Sequence, residues 1–140
     1  MLSPASVCVS SVMSRRVVSV DYDDRLRTVK KLFDQHGFHH LLVVEQGRLH
    51  GVLSDRDLLR ALSPFIGTLS ETTRDAETLD RRVHQVMTRR LTTLGPEATL
   101  AEAIDVFLAE RVSCLPVIDA SRHPLGILSW RDVLRALRAP

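Results

Sequence analysis

Two spacings of apolar residues alternate along this chain, and they do so twice in the same order. Short apolar strips at 17–20 and 91–94 predict strands. Each gives way to a helical period, with Leu26, Val29 and Phe33 on one stripe over about 25–36. Leu100, Ala103, Ile104 and Phe107 form the matching stripe over about 100–111. Thr99 with Glu102 three residues on predicts a capping box opening the second of these helices. Strands follow at 41–45 and 49–53, and Gln46-Gly47-Arg48 between them is a hairpin signal. A closing helix starts at Ser54 or Ser129 and runs to Leu62 or Leu137. The fold class is therefore mixed α+β / α/β, built as β-α-β-β-α twice.

Aligned on itself, the chain shows why the order recurs. GVLSDRDLLRAL from Gly51 matches GILSWRDVLRAL from Gly126 at nine of twelve positions, far above chance. The offset there is 75 residues. Upstream it is 74: Val12-Met13-Ser14 falls on Val86-Met87-Thr88, Leu26 on Leu100, Phe33 on Phe107, and LLVVE at 41–45 on LPVID at 115–119. One inserted residue in the loop at 120–123 accounts for the shift, since loops absorb length changes that elements do not. A unit of about 50 residues buries too little surface to stand alone. Two repeats packed about a pseudo-twofold axis would share a core. The expected organisation is residues 1–62 as an N-terminal segment with repeat one, 63–85 as a partly helical connector, and 86–140 as repeat two.

Composition narrows the function. The 140 residues carry 19 basic and 17 acidic side chains, a formal charge of +2, which is too small to imply nucleic acid or an anionic membrane. Aromatic residues are 4%, against base-stacking platforms. No apolar run reaches the ~18 residues of a membrane span. The N-terminus places Arg15-Arg16 after its mildly apolar stretch, the reverse of a secretory signal, so a cytoplasmic protein is expected. Cys8 and Cys114 fit neither a disulfide framework nor a metal-ligand spacing, and two free thiols are expected. His36, His39, His40 and His50 invite a zinc reading, but HGFHH lacks the attendant Glu of a helical zinc pair, and His36 would need a turn at Gly37 to meet His39 or His40, so no metal is assigned to them.

Four features, found in order in both repeats, carry a family resemblance: a V-M-[ST] start, a strand with an amphipathic helix, an h-h-[PL]-V-h strand, and G-h-h-S-x-x-D opening the last helix. The chain resembles a tandem pair of cystathionine β-synthase (CBS) domains, a Bateman module, from Val12 to Leu137. The resemblance implies a non-catalytic regulatory module. Such modules bind adenosine-containing ligands (AMP, ADP, ATP or S-adenosylmethionine) in clefts between the repeats, need no obligatory cofactor, and pair into a disc-like homodimer that acts on a partner protein.

Read onto this chain, the motif gives Ser54, Arg56 and Asp57 in repeat one and Ser129, Arg131 and Asp132 in repeat two. Two readings stand side by side. Ser with an acid three residues on is a capping box, and the acid suits the helix dipole. Alternatively the carboxylates accept ribose hydroxyls, with Arg56 and Arg131 as phosphate contacts. Family members with a His-Arg pair before the h-P-V strand reach phosphates there. This chain has His39-His40 in repeat one and Ser113-Cys114 in repeat two, which favours a monophosphate or an adenosyl ligand of little charge. Val17, Val18, Leu91 and Thr92 would lie against the base.

Two other functions are weighed against sensing. An enzyme acting on a nucleotide finds no nucleophile elbow, phosphate loop or metalloprotease motif in the chain. A nucleic-acid adaptor would need Arg15-Arg16, Arg81-Arg82 and Arg89-Arg90 to form one patch, and its binding would weaken steeply with salt.

Overall fold

The apolar strip at the start of repeat one narrows to a three-residue strand, β1 (Ser19–Asp21), in the computed structural model, which describes residues 3–138. Helix α1 (Leu26–Gln35) follows and buries Leu26 and Val29 completely. Strands β2 (His40–Glu45) and β3 (Arg48–Ser54) are joined through Gln46 and Gly47, both at positive φ (53° and 77°), as a tight hairpin turn requires. The sheet runs β1-β2-β3, with β1 parallel to β2 and Ser19 opposite Leu42. Helix α2 (Asp55–Ala61) closes the repeat, and a short helix α3 (Thr73–Glu77) lies in the segment that follows.

Repeat two repeats the order with one omission. Helix α4 (Leu100–Ala109), strands β4 (Cys114–Ile118) and β5 (Pro124–Ser129), and helix α5 (Trp130–Arg138) correspond to α1, β2, β3 and α2. The capping box at Thr99 and Glu102 forms, with Glu102 N–H donating to Thr99 Oγ1 at 3.1 Å. The strand expected at 91–94 does not form. It is reduced to a single parallel bridge of Leu94 to Val117, with Leu94 N–H donating to Pro116 O at 3.0 Å. Two prolines supply the reason. In repeat one Leu42 N–H donates to Val18 O at 3.1 Å and Tyr22 N–H donates to Val44 O at 2.9 Å; their repeat-two counterparts, Pro116 and Pro96, have no N–H to give.

The described chain falls into two compact units, neither of which is one continuous stretch. The repeat-one unit holds residues 18–46 and 50–91; the repeat-two unit holds 3–17, 47–49 and 92–138. Each V-M-[ST] segment therefore packs with the repeat that it does not precede. In the repeat-one unit Thr88 and Val52 exchange both backbone hydrogen bonds, at 2.9 and 3.2 Å. In the repeat-two unit Ser14 and Ile127 do the same at 2.9 Å each. The helix starts are served likewise, Leu26 N–H donating to Arg81 O at 2.9 Å and Leu100 N–H to Val7 O at 2.7 Å. The first N–H groups of a helix have no partner inside it, so these bonds satisfy donors that would otherwise need water.

Each unit has its own core. Val20, Leu26, Val29, Leu41, Val43, Leu53, Leu58, Val83 and Met87 form one. Val9, Met13, Leu94, Leu100, Ala103, Leu115, Val117, Leu128 and Val133 form the other. Both lists draw on the exchanged segments, which makes those segments part of the hydrophobic stabilisation and not trailing ends. Among the described residues no helix is long and apolar enough to cross a membrane.

Candidate functional site

The G-h-h-S-x-x-D motif occupies the junction between a strand and its closing helix in both units. Ser54 ends β3 in an extended conformation and caps α2. Asp57 N–H donates to Ser54 Oγ at 3.1 Å, and Ser54 N–H donates to Asp57 Oδ2 at 3.0 Å. Ser129 and Asp132 repeat the pattern at 3.2 and 2.9 Å, with Ser129 Oγ–H donating to Asp132 Oδ2 at 3.0 Å as well. The capping role of these four residues is thus present in the structure. It leaves different remainders. Asp132 Oδ1 accepts a hydrogen bond from the Arg135 guanidinium at 3.3 Å, so both of its oxygens are engaged. Among the described residues, Oδ1 of Asp57 accepts none.

Asp57 instead faces a surface pocket of about 240 Å³ that it lines with Arg60, Ala61, Arg81 and Val86. Asp57, Arg60 and Ala61 are three and four residues apart on α2 and so share a face. Arg81 and Val86 come from the segment after α3. The helical spacing of Arg60 and Ala61 from Asp57 is readable in the sequence. The approach of Arg81 is not, because only the packing of 83–91 onto repeat one brings it there.

His39 and His40 come to the same end of the repeat-one unit. His39 O accepts from Asp55 N–H at 3.0 Å, and His39 Nδ1 sits 2.9 Å from Asp55 Oδ2. That hydrogen bond holds the Asp55 carboxyl below its usual value against a smaller opposing effect of burial. His40, half-buried, is shifted the other way for a base. Burial lowers its pKa, Asp55 and Asp57 partly offset this by attraction, and His39 adds to the lowering. His40 is therefore a weak source of positive charge at neutral pH. In repeat two Cys114 replaces His40. It is buried opposite Ser129 in the β4–β5 ladder, and burial pushes its thiol up to about 12.

The remaining residues expected at the site are placed less closely. Arg56 and Arg131 are exposed, and the Arg131 guanidinium lies 6.0 Å above the Trp130 ring. Val18 is half-buried and its carbonyl accepts from Leu42 N–H at 3.1 Å. Val17, Leu91 and Thr92 are half-buried too. The chain passes from one unit to the other between Val17 and Val18 and again between Leu91 and Thr92. Two of the other histidines stack on rings, His36 on Phe38 at 5.3 Å and His84 on Tyr22 at 4.7 Å, and His123 Nδ1 sits 3.3 Å from Asp119 Oδ2. Among the described residues no three metal-ligating side chains converge.

Twofold use of one α-β-β-α unit, preceded by a strand in repeat one and by a single bridge in repeat two and each closed by a Ser-Asp capped helix, defines a tandem-repeat module. The chain belongs to the CBS domain family, whose profile matches it twice, over residues 9–64 and 83–139. It is a CBS domain pair, and proteins of this kind are in general regulatory, non-catalytic modules. The protein MJ0188 of Methanocaldococcus jannaschii is 29% identical over 133 residues, covering 94% of this chain and 44% of its own. The crystal structure of MJ1225 from the same organism matches with a TM-score of 0.81 at 24% identity, over 95% of this chain and 48% of that one. This chain thus spans about half the length of those two proteins. The CBS domain pair of protein MJ0100, solved in complex with 5′-methylthioadenosine and S-adenosyl-L-methionine, matches with a TM-score of 0.72 at 20% identity, over 94% and 95% of the two chains. At such identities the two solved structures share their fold with this chain.

Proposed function

We propose that this CBS pair is a sensor of adenosine-containing ligands (AMP, ADP, ATP or S-adenosylmethionine) that relays their level to a partner protein and catalyses nothing itself. The observation that carries the reading is the carboxylate of Asp57, which lines a pocket while its cap engages only one of its two oxygens. A ribose offers a pair of hydroxyl donors suited to such an acceptor. The adenosyl ligands of the MJ0100 pair support the choice of ligand class. The chain acts in the cytoplasm as a homodimer. Leu59 and Leu134, at matching positions of α2 and α5, are 73% and 54% exposed and give it apolar surface for self-association.

The experiment is thermal unfolding of the full chain with AMP, ATP, S-adenosylmethionine or 5′-methylthioadenosine. A ligand at a hundred times its Kd adds about 2.7 kcal/mol to stability and raises the transition visibly. Absence of any shift at millimolar ligand overturns the reading.

A further inference from the structure

The helices of the two units carry different surfaces over similar cores. In the repeat-two unit Leu108 on α4, Val112 just beyond it, and Trp130 and Leu134 on α5 are all exposed, Leu108 at 82% and Trp130 at 48%. The two helices touch and pack on the same core, so their outer sides adjoin. Through the repeat alignment, Asp34, Phe38 and Asp55 match Leu108, Val112 and Trp130 in the other unit. There Asp34 pairs with Lys30 at 2.6 Å, Phe38 is half-buried beside Phe33 and His36, and Asp55 bonds His39. Of the four positions, only that of Leu134 keeps an exposed aliphatic side chain there, Leu59. Large apolar side chains gathered in water on one unit mark a contact surface.

Charge says what covers it. Helix α4 carries Glu102 and Asp105 and no basic residue, a net charge of −2. Helix α5 carries Arg131, Arg135 and Arg138 against Asp132, a net +2. A twofold axis along the groove between them sets α4 of one copy over α5 of another, acidic helix on basic helix in both directions. The surface is its own complement. The matching face of the repeat-one unit is not: α1 carries Arg27, Lys30 and Lys31 against Asp34, a net +2, and α2 is neutral. Pairing repeat two with repeat one instead would lay its apolar side chains on a face that holds Asp34 and Asp55, at the cost of dehydrating carboxylates. We infer, building on the homodimer proposed above, that two copies of this chain meet through the outer face of α4 and α5, repeat two against repeat two. Leu108, Trp130 and Leu134 form the apolar centre, and Asp105 faces the arginines of the second copy.

Sedimentation equilibrium of the full chain tests it. Leu108→Asp and Asp105→Lys copy the residues that α1 carries at the same positions, so both variants should fold, as circular dichroism will show. The parent is dimeric. Leu108→Asp and Leu134→Asp each raise the dimer Kd at least about tenfold, through apolar area no longer buried. Asp105→Lys also raises it, most strongly at low salt, because it sets cation against cation. Leu59→Asp, on the other unit, changes it little. Parent-like Kd values in both Leu108→Asp and Leu134→Asp overturn this face while the homodimer stands. A loss in Leu59→Asp equal to that in Leu134→Asp overturns it too, in favour of repeat one meeting repeat two. A parent chain that stays monomeric overturns the face and the homodimer together.

Discussion

The sulfur of Met87 lies 2.5 Å from the point a β-carbon on Gly51 would occupy, and the sulfur of Met13 lies 2.6 Å from the same point at Gly126. The methionine of V-M-[ST] and the glycine of G-h-h-S-x-x-D are therefore the two halves of one contact. Each methionine arrives from the segment preceding the other repeat and presses its side chain onto a strand that has been kept bare to receive it.

Alanine at either glycine is expected to destabilise the protein by about 1–3 kcal/mol through overpacking. Gly126→Ala is the more costly. At Gly51 the closest atoms belong to a flexible methionine, with Thr88 O at 3.1 Å. At Gly126 the backbone oxygen of Ser14 already stands at 2.7 Å and cannot swing away. Urea unfolding of the two variants decides: equal costs would contradict the ranking, and no cost would show that the segments yield freely.

The two motif aspartates are expected to separate capping from binding. Asp57→Asn and Asp132→Asn keep an oxygen for the serine N–H and should fold. Each should weaken adenosyl binding in calorimetry. Parent-like affinity in both variants would leave the carboxylates as helix caps alone. Ser54→Ala and Ser129→Ala, which remove the caps, should each cost about 1 kcal/mol of stability.

Protonation at the His39–Asp55 end has a defined sign. The folded-state pKa of Asp55 is depressed, chiefly by the His39 hydrogen bond. Its contribution is present above the ordinary value of 3.8 and is lost as pH falls through the lower folded value. His40 is also depressed, so the unfolded chain takes up its proton first, near 6.5, and the stability it confers is lost as pH drops below that point. NMR titration should place the His40 midpoint below 6.5 and move it lower still in Asp55→Asn, which removes an attracting charge. A midpoint that rises in that variant would contradict the electrostatics described.

The two thiols should react at very different rates. Cys8 is exposed, whereas Cys114 is buried and its thiol is raised to about 12. An alkylating reagent at pH 8 should modify one cysteine per native chain and two in denaturant, since the thiolate is the reacting species. Fast modification of Cys114 in the native protein would show that β4 opens.

Much of this architecture was legible because it is local. Thr99 and Glu102 announce their helix through a spacing of three, and the apolar stripes of α1 and α4 fall at the helical period. The duplication set the order of elements without any knowledge of packing. What escaped was set by distance along the chain. Val12-Met13-Ser14 reads as the start of repeat one, yet its hydrogen bonds go to Ile127. Arg81 reads as part of a charged connector, yet it lines a pocket with Asp57. The missing strand at 91–94 is a different case, since the sequence itself shows Pro116 and Pro96 where repeat one has the N–H donors of Leu42 and Tyr22. At the motif aspartates two roles share one spacing, and a sequence cannot say which oxygen of a carboxylate is already in use.

The exchanged segments also govern what becomes of the chain if it is cut. A break in the exposed stretch around Leu69 would leave one fragment with the strands of repeat one but without Val83 and Met87, and the other with those of repeat two but without Val9 and Met13. Neither piece would hold the full complement of its own core, and each would carry what the other lacks. The severed halves should remain unfolded apart and recover structure on mixing, as a reconstituting pair in which each fragment is the template for its counterpart.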